Sequence, residues 1–296
     1  MESRSNRILI TGISGFTGKY LESSLASADY KVYGVGNKLS EVNDHTFNCD
    51  ILDTPLLTSI IEKVNPDYVI HLAAISFVQH ENLSEIYETN ILGTESLLKS
   101  VVLAKVKPIK ILIASSATVY GDQPDPILSE EMPPNPKNHY GISKWGMEQV
   151  SKNYFNKIPI IITRTFNYSG PGQSVNFVIP KIIDHFKTKS DIIELGNLNV
   201  FREFNDVNFI CKVYIELLLS SFHSGIVNVC SGKAYSLQEV LNEAKEISNH
   251  NLTIAQNPKF MRSDEIIHLT GSTMKLLSII KKLPETSIKK TVSSFF

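Results

Sequence analysis

The sequence is short of several things that would narrow its function. It has three cysteines, Cys49, Cys211 and Cys230, far apart and odd in number. That spacing suits neither a zinc site nor a disulfide framework, so no metal centre is expected. It has one tryptophan, Trp145. Its 29 basic and 30 acidic residues leave a formal charge of −1, which offers no bulk attraction to nucleic acid or an anionic membrane. No apolar run approaches the roughly 20 residues needed to span a bilayer. The opening "MESRSNRILITG" has no signal-peptide core. The expectation is a soluble cytoplasmic protein with no nucleic-acid or membrane partner. Internal repeats and low-complexity segments are also missing.

What is present is an ordinary globular composition, 42% hydrophobic and 20% charged over 296 residues. Such a length allows one large domain or two smaller ones. Apolar runs at 7–12, 30–36, 67–74, 109–116 and 158–167 read as strands. Helical patterns fill 17–27, 56–64, 88–104 and 140–155. Strands apolar throughout, alternating with helices, predict a parallel sheet covered on both faces. After about residue 168 the pattern loosens. "NYSGPGQSVNF" reads as a loop, "VIPKIIDHFKT" and "FICKVYIELLLS" as helices, and "GIVNVCSG" as a strand returning to the main sheet. Ser236 and Glu239 predict a capping box opening a helix over 236–248.

"ILITGISGFTGKYL" sets Gly12, Gly15 and Gly18 between the first strand and the first helix. Glycines there let the backbone turn sharply and approach a pyrophosphate at the helix N-terminus. A tight turn without ligand is the bland alternative, but position at the first strand and first helix favours a dinucleotide. The second strand ends in Gly36, Asn37 and Lys38 with no acid, which favours a 2′-phosphate and hence NADPH, with NADH as the alternative. Asp50 could accept from the adenine amino group or cap a helix.

"NHYGISKWGMEQV" holds Tyr140 and Lys144 four residues apart. The spacing alone is at chance level, but the accumulated motifs are not. "TGISGFTG", "HLAA" (71–74), "TNILGT" (89–94), "SSATVYG" (115–121), "YGISK" (140–144) and "RTFNYSGPG" (164–172), taken in order, resemble the extended short-chain dehydrogenase/reductase family of nucleotide-sugar epimerases, dehydratases and reductases. The likeness runs nearly end to end. It implies an α/β fold: a Rossmann doubly wound parallel sheet with a smaller, mixed α/β C-terminal substrate-binding domain. The expected division is 1–167 plus about 205–231 for NADP, and about 168–204 plus 232–296 for the nucleotide sugar.

The resemblance implies a catalytic set of Ser116, Tyr140 and Lys144, with Ser115 as the neighbouring alternative to Ser116. A tyrosine with a free pKa of roughly 10 is a poor base near neutral pH. A lysine one turn away shares its face and favours phenolate. In ketone reduction the phenol donates its proton instead. The resemblance further implies cofactor contacts from Gly12, Ser14, Gly15, Phe16, Asn37, Asp50, Ile51, Leu72, Ala73, Ala74 and Asn90, besides Tyr140 and Lys144. Asn90 could otherwise cap a helix. Substrate contacts are implied for Ser116, Thr118, Asn167, Val178, Lys181, Arg202, Arg262 and Glu265, the two arginines suiting a diphosphate and the carboxylate a ribose.

Dehydratases of the family carry acids directly after the catalytic Ser/Thr. Here those positions are Ala117 and Thr118. "SSATVYGDQP" is similar to UDP-galactose 4-epimerases, whereas "GPGQS", "LGNLNVFREFNDV" and "FMRSDEIIHLTG" are more similar to GDP-4-keto-6-deoxy-mannose reductases. Two positions depart from the family pattern and bear on the fine substrate preference: Glu203 stands in place of aspartate and Ser263 in place of proline. The expectation is an NADPH-dependent reductase of a GDP-linked 4-keto-6-deoxy sugar, hexose or heptose, serving surface glycans such as O-antigen or lipopolysaccharide. A 4-epimerase is the rival, and a 4,6-dehydratase or a non-catalytic Rossmann regulator stands further back. His71 reads as structural beside the cofactor, His139 as a loop residue that could contact the sugar, Tyr168 as a residue that could serve as a second acid, and Trp145 as a packing residue. A homodimer through a four-helix bundle of 90–104 and 140–155 is also implied.

Overall fold

The computed structural model describes residues 6–37, 39–40, 42–77, 80–260 and 267–296. The first half runs β1 (Arg7–Thr11), α1 (Phe16–Ala26), β2 (Lys31–Gly36), β3 (Thr46–Asn48), α2 (Thr54–Val64), β4 (Tyr68–His71), α3 (Leu83–Tyr87), α4 (Gly93–Leu103), β5 (Lys110–Ser116), β6 (Ile127–Leu128), α5 (His139–Lys152) and β7 (Ile160–Thr165). The second continues with β8 (Tyr168–Ser169), α6 (Val178–Lys187), β9 (Ile192–Leu195), β10 (Phe201–Arg202), β11 (Asn205–Asp206), α7 (Val207–Leu219) and β12 (Gly225–Val229). It ends with β13 (Tyr235–Ser236), α8 (Leu237–Ser248), β14 (Thr253–Gln256), β15 (His268–Gly271), α9 (Met274–Ile279) and α10 (Ile288–Ser293).

Seven strands form one sheet in the order β12-β7-β5-β4-β1-β2-β3. β1 pairs in parallel with β2 on one side and β4 on the other. The order therefore reverses between β1 and β4, the point where doubly wound folds bind ligands. Ile8, Leu9, Ile10, Val69, Ile70, Ile111, Leu112 and Ile113 have no exposed surface. Apolar residues at consecutive positions of a strand are buried only if both sheet faces are covered. The expected return of "GIVNVCSG" to this sheet is β12 at its edge.

The chain divides into two compact units: Met1–Gly121 with Pro133–Arg164 and Tyr214–Val227, and Asp122–Met132 with Thr165–Val213 and Asn228–Phe296. The second unit has its own apolar core, which includes Ile182, Ile183, Phe186, Val240, Leu241 and Val292. It also holds a small mixed sheet, β13-β10-β15-β6.

The capping box forms as read: Ser236 N donates to Glu239 Oε2 at 2.7 Å and Glu239 N to Ser236 Oγ at 3.2 Å. The helix expected over 88–104 is different. It starts earlier, at α3, capped by Asn82, and a π turn at Glu88–Leu92 separates α3 from α4. The π turn inserts one residue and so re-aims a side chain. The side chain concerned is Asn90. Asn90 is therefore not a helix cap, and neither is Asp50: the cap of α2 is Asp53, which accepts from Leu56 N.

Candidate active site

The turn from β1 into α1 is built for close backbone approach. Gly12 lies at φ +73°, and a Cβ there would sit 2.8 Å from Ala73 N and 3.0 Å from the Leu72 carbonyl carbon. At Gly18 a Cβ would clash with Ile13 O. No other residue fits either position without moving the backbone. Gly15 takes the N-cap position of α1 with extended backbone and no side-chain cap. Ser14 and Gly15 are exposed in front of the helix N-terminus. This cradle fits the pyrophosphate of a dinucleotide.

The other implied cofactor residues stay on this unit. Asn37 is exposed just past the end of β2. Asp50 Oδ1 accepts from Leu52 N at 2.9 Å. Ile51 is 7% exposed and belongs to the core, so only its backbone could meet an adenine. Leu72, Ala73 and Ala74 follow β4 and are half-buried. Phe16 packs edge-on to Tyr20.

His71 is structural. It is buried, with Nδ1 2.6 Å from Thr11 Oγ1 and Nε2 2.9 Å from Thr94 Oγ1. Thr94 Oγ1 already donates to Asn90 O, so His71 must carry its proton on Nε2 and accept at Nδ1. Burial, and secondly the charge of Lys144, push its pKa down to about 3. Asn90 is fully buried in the π turn. Its Oδ1 accepts from Ile75 N at 2.8 Å, and its Nδ2 donates to Ile75 O at 3.1 Å and Ser143 Oγ at 2.9 Å. It braces the segment after β4 against α5.

Asn138 caps α5, accepting from Gly141 N at 2.8 Å. Tyr140 and Lys144 then share one face, with Lys144 Nζ 6.0 Å from the Tyr140 ring centroid. Lys144 is 4% exposed and donates to Ala114 O at 2.8 Å. Burial pulls its ammonium down to about 8, against the raising effect of Glu148. Ser115 and Ser116 are sorted by strand alternation. Ser115 is buried and donates to Glu148 Oε1 at 2.7 Å. Ser116 is half-buried and accepts from Thr118 N at 3.2 Å and Thr118 Oγ1 at 2.9 Å. Both bonds are accepted, so the Ser116 hydroxyl keeps its own proton to donate.

His139 is exposed, and its Nδ1 lies 2.8 Å from the Tyr87 hydroxyl. Trp145, read from sequence as a packing residue, is instead 39% exposed on α5.

The substrate residues read from the later part of the sequence lie in the second unit. Asn167 is exposed after β7, with its carbonyl accepting from Asn205 N. Tyr168 pairs with Asn205 across β8 and β11. Val178 opens α6. Lys181 donates to Glu194 O at 2.8 Å and stands 4.1 Å over the Phe260 ring. Arg202 Nη1 donates to Phe201 O at 2.9 Å and Ile267 O at 3.2 Å. Arg262 and Glu265 lie outside the described residues.

Two buried carboxylates carry roles that the sequence reading did not assign. Glu203 accepts from Ser231 N, Gly271 N and Asn205 Nδ2 at 2.6, 2.8 and 3.1 Å, and also from Gly232 N and Ser231 Oγ. Burial pushes its pKa up, and these donors oppose that. The departure from aspartate at this position is thus spent inside the core. Glu148 pairs with Arg164 at 2.8 Å, the two side chains 0% and 2% exposed. Burial opposes the Arg164 charge, but Glu148 and Tyr120 outweigh it and hold the guanidinium above its usual value. Both signals were legible: Glu148 falls four residues after Lys144, and a lone arginine in the apolar run "IIITRTF" requires a counter-ion.

The family model described as GDP-mannose 4,6 dehydratase matches residues 9–294. The chain is 38% identical to the GDP-6-deoxy-D-talose 4-dehydrogenase of Aggregatibacter actinomycetemcomitans, over 93% of this chain and 91% of that protein. It is 30% identical to the GDP-6-deoxy-D-mannose reductase of Pseudomonas aeruginosa, over 97% and 95% respectively. The solved structure of RMD from Pseudomonas aeruginosa complexed with NADPH is 29% identical, covers 98% of this chain and 97% of that one, and superposes with a TM-score of 0.85. With a glycine-turned Rossmann unit, a Tyr140–Lys144 helix and a match over nearly its whole length, the chain belongs to the GDP-mannose 4,6 dehydratase family of NAD(P)-dependent oxidoreductases and dehydratases.

Proposed function

We propose that this enzyme reduces the C4 ketone of a GDP-linked 4-keto-6-deoxy sugar, hexose or heptose, with NADPH as reductant. The observation that carries the reading is a complete Ser116–Tyr140–Lys144 set followed by Ala117 and Thr118. Ala117 is 1% exposed and has no polar group, and the Thr118 hydroxyl is bonded to Ser116. Neither can protonate a leaving C6 hydroxyl or take a C5 proton. Dehydration is therefore disfavoured within a family named for it, while carbonyl reduction needs no further acid. The names of the relatives, a 4-dehydrogenase and a reductase of GDP-6-deoxy sugars, support the same carbon and the same nucleotide.

In this reading Gly12, Ser14 and Gly15 receive the pyrophosphate, Asn37 faces the adenosine ribose and Asp50 the adenine. The absence of an acid at the end of β2 and the NADPH in the Pseudomonas aeruginosa structure support NADPH. Once bound, that cofactor supplies the hydride. The protein supplies the rest. Ser116 donates to the ketone oxygen, Tyr140 gives it a proton, and the Lys144 ammonium stabilises the phenolate left behind. Lys181, Arg202 and Arg262 are proposed for the GDP diphosphate, Glu265 for its ribose, and Thr118, Asn167 and Val178 for the sugar. The setting is cytoplasmic synthesis of a deoxysugar for surface glycans such as O-antigen.

The test supplies GDP-4-keto-6-deoxy-mannose with NADPH and follows nicotinamide absorbance. Consumption of one NADPH per sugar is expected. No oxidation, together with interconversion of UDP-glucose and UDP-galactose without added cofactor, would establish the epimerase instead.

A homodimer is proposed from the same unit. Leu92, Ile142 and Trp145 are 55%, 39% and 39% exposed at the π turn and on α5, an apolar set that a second copy would cover. Sedimentation should give a dimer for the native chain and a monomer for Trp145→Glu. A native monomer would refute it.

A further inference from the structure

Helix α5 carries a further group, fully buried, on the face of the catalytic pair. Tyr140, Lys144 and Glu148 recur every four residues, which stacks them on one side of the helix. The Glu148 carboxylate is shared between two other elements. From β5, Ser115 Oγ donates to Oε1 at 2.7 Å. From β7, Arg164 Nε donates to Oε1 at 3.0 Å and Nη2 to Oε2 at 2.8 Å. Lys144 meanwhile donates to Ala114 O at 2.8 Å. Consecutive residues at the end of β5 are thus engaged in turn: Ala114 by Lys144, Ser115 by Glu148, and Ser116 by Thr118.

We propose that Glu148 is a positioning residue for the reaction. Its carboxylate ties Ser115, and through it Ser116, to the helix face of Tyr140 and Lys144, and sets a buried anion one turn from Lys144. The inference rests on the reductase reading of Ser116, Tyr140 and Lys144.

The charges around Lys144 favour this role. On its own helix it faces Tyr140 and Glu148. From β4 comes His71, which burial holds neutral. Arg164, from β7, is bonded to Glu148, the anion that also acts on Lys144, and its guanidinium lies 4.7 Å from the centre of the Tyr120 ring. Glu148 is the anion acting on both buried cations. Removing its charge would take away the anion that raises Lys144 and the one paired with Arg164. Lys144 would then lose its proton at lower pH, and a neutral Lys144 cannot stabilise the Tyr140 phenolate.

Three substitutions separate positioning from mere packing. In Glu148→Gln, the NMR titration of the Lys144 ε-carbon, identified by its loss in Lys144→Arg, should move toward acid by about tenfold in proton concentration. The alkaline limb of kcat/KM should move with it, so the deficit is greatest near about pH 8.5 and smallest near about pH 6.5. Glu148→Asp should keep the limb in place. Ser115→Ala also keeps the charge. It should lower kcat about three- to tenfold at every pH, with the KM for NADPH unchanged. A Glu148→Gln enzyme with an unmoved titration and limb would overturn the proposal, even if it were uniformly slow. Should Glu148→Gln fail to fold, Ser115→Ala decides: undiminished kcat overturns the proposal, and reduced kcat at constant KM and constant limb supports it. If the native enzyme reduces no keto-sugar, the reductase reading falls. The Lys144 titration, which needs no substrate, still decides the charge coupling.

Discussion

Tyr140→Phe should lower kcat by about 10²–10⁴-fold, the range for loss of a positioned proton donor. Its affinity for NADPH should change by less than about tenfold, because a single hydrogen bond to the cofactor is at stake. The substitution removes one oxygen and preserves ring volume, so the fold should be unaffected. Tyr140 is half-buried at the first turn of α5, and Lys144 is anchored by its own bond to Ala114 O. Loss of the phenol therefore leaves the lysine in place. Stopped-flow single turnover with pre-bound NADPH, alongside fluorescence titration of the cofactor, separates the two effects. A variant that retained more than about a third of the native rate would remove Tyr140 from the role of acid.

Arg164→Met should destabilise the protein by about 3–5 kcal/mol, the usual result of breaking a buried ion pair from one side. Arg164 is 2% exposed, and Glu148 has no exposed surface at all. Methionine fills the space over the Tyr120 ring but leaves the Glu148 carboxylate with Ser115 as its remaining donor from β5. For a chain of this size that loss corresponds to a fall in Tm of about 10 °C. Adding Glu148→Met should recover part of it, since a buried pair replaced by apolar groups of similar volume is often neutral. The double-mutant cycle in denaturant measures the coupling. If the double variant were as unstable as the sum of the singles, the pair would contribute no coupling.

Much of the first unit could be read directly from the chain, for a reason of scale. The glycine turn, the Tyr140–Lys144 spacing and the apolar strands, like the Ser236 capping box of the second unit, all depend on residues within a few positions of one another. Local sterics and helical or strand periodicity determine such features. The same logic failed at 88–92. A π turn has the composition of a helix, and the register change there serves contacts of Asn90 with Ile75 and Ser143, 15 and 53 residues away.

The sequence by itself determined the alternation of the main strands and helices, the glycine turn between β1 and α1, the spacing of Tyr140 and Lys144 and the missing acids at Ala117 and Thr118. Only the tertiary structure decided which serine is free to donate, what holds Lys144, and why Arg164, Glu148 and Glu203 tolerate burial. Those answers depend on partners such as Ser115 and Glu148, 33 residues apart, or Glu203 and Gly271, 68 apart. Buried charge must find its counter-ions and donors in space, and no local periodicity records where folding will bring them.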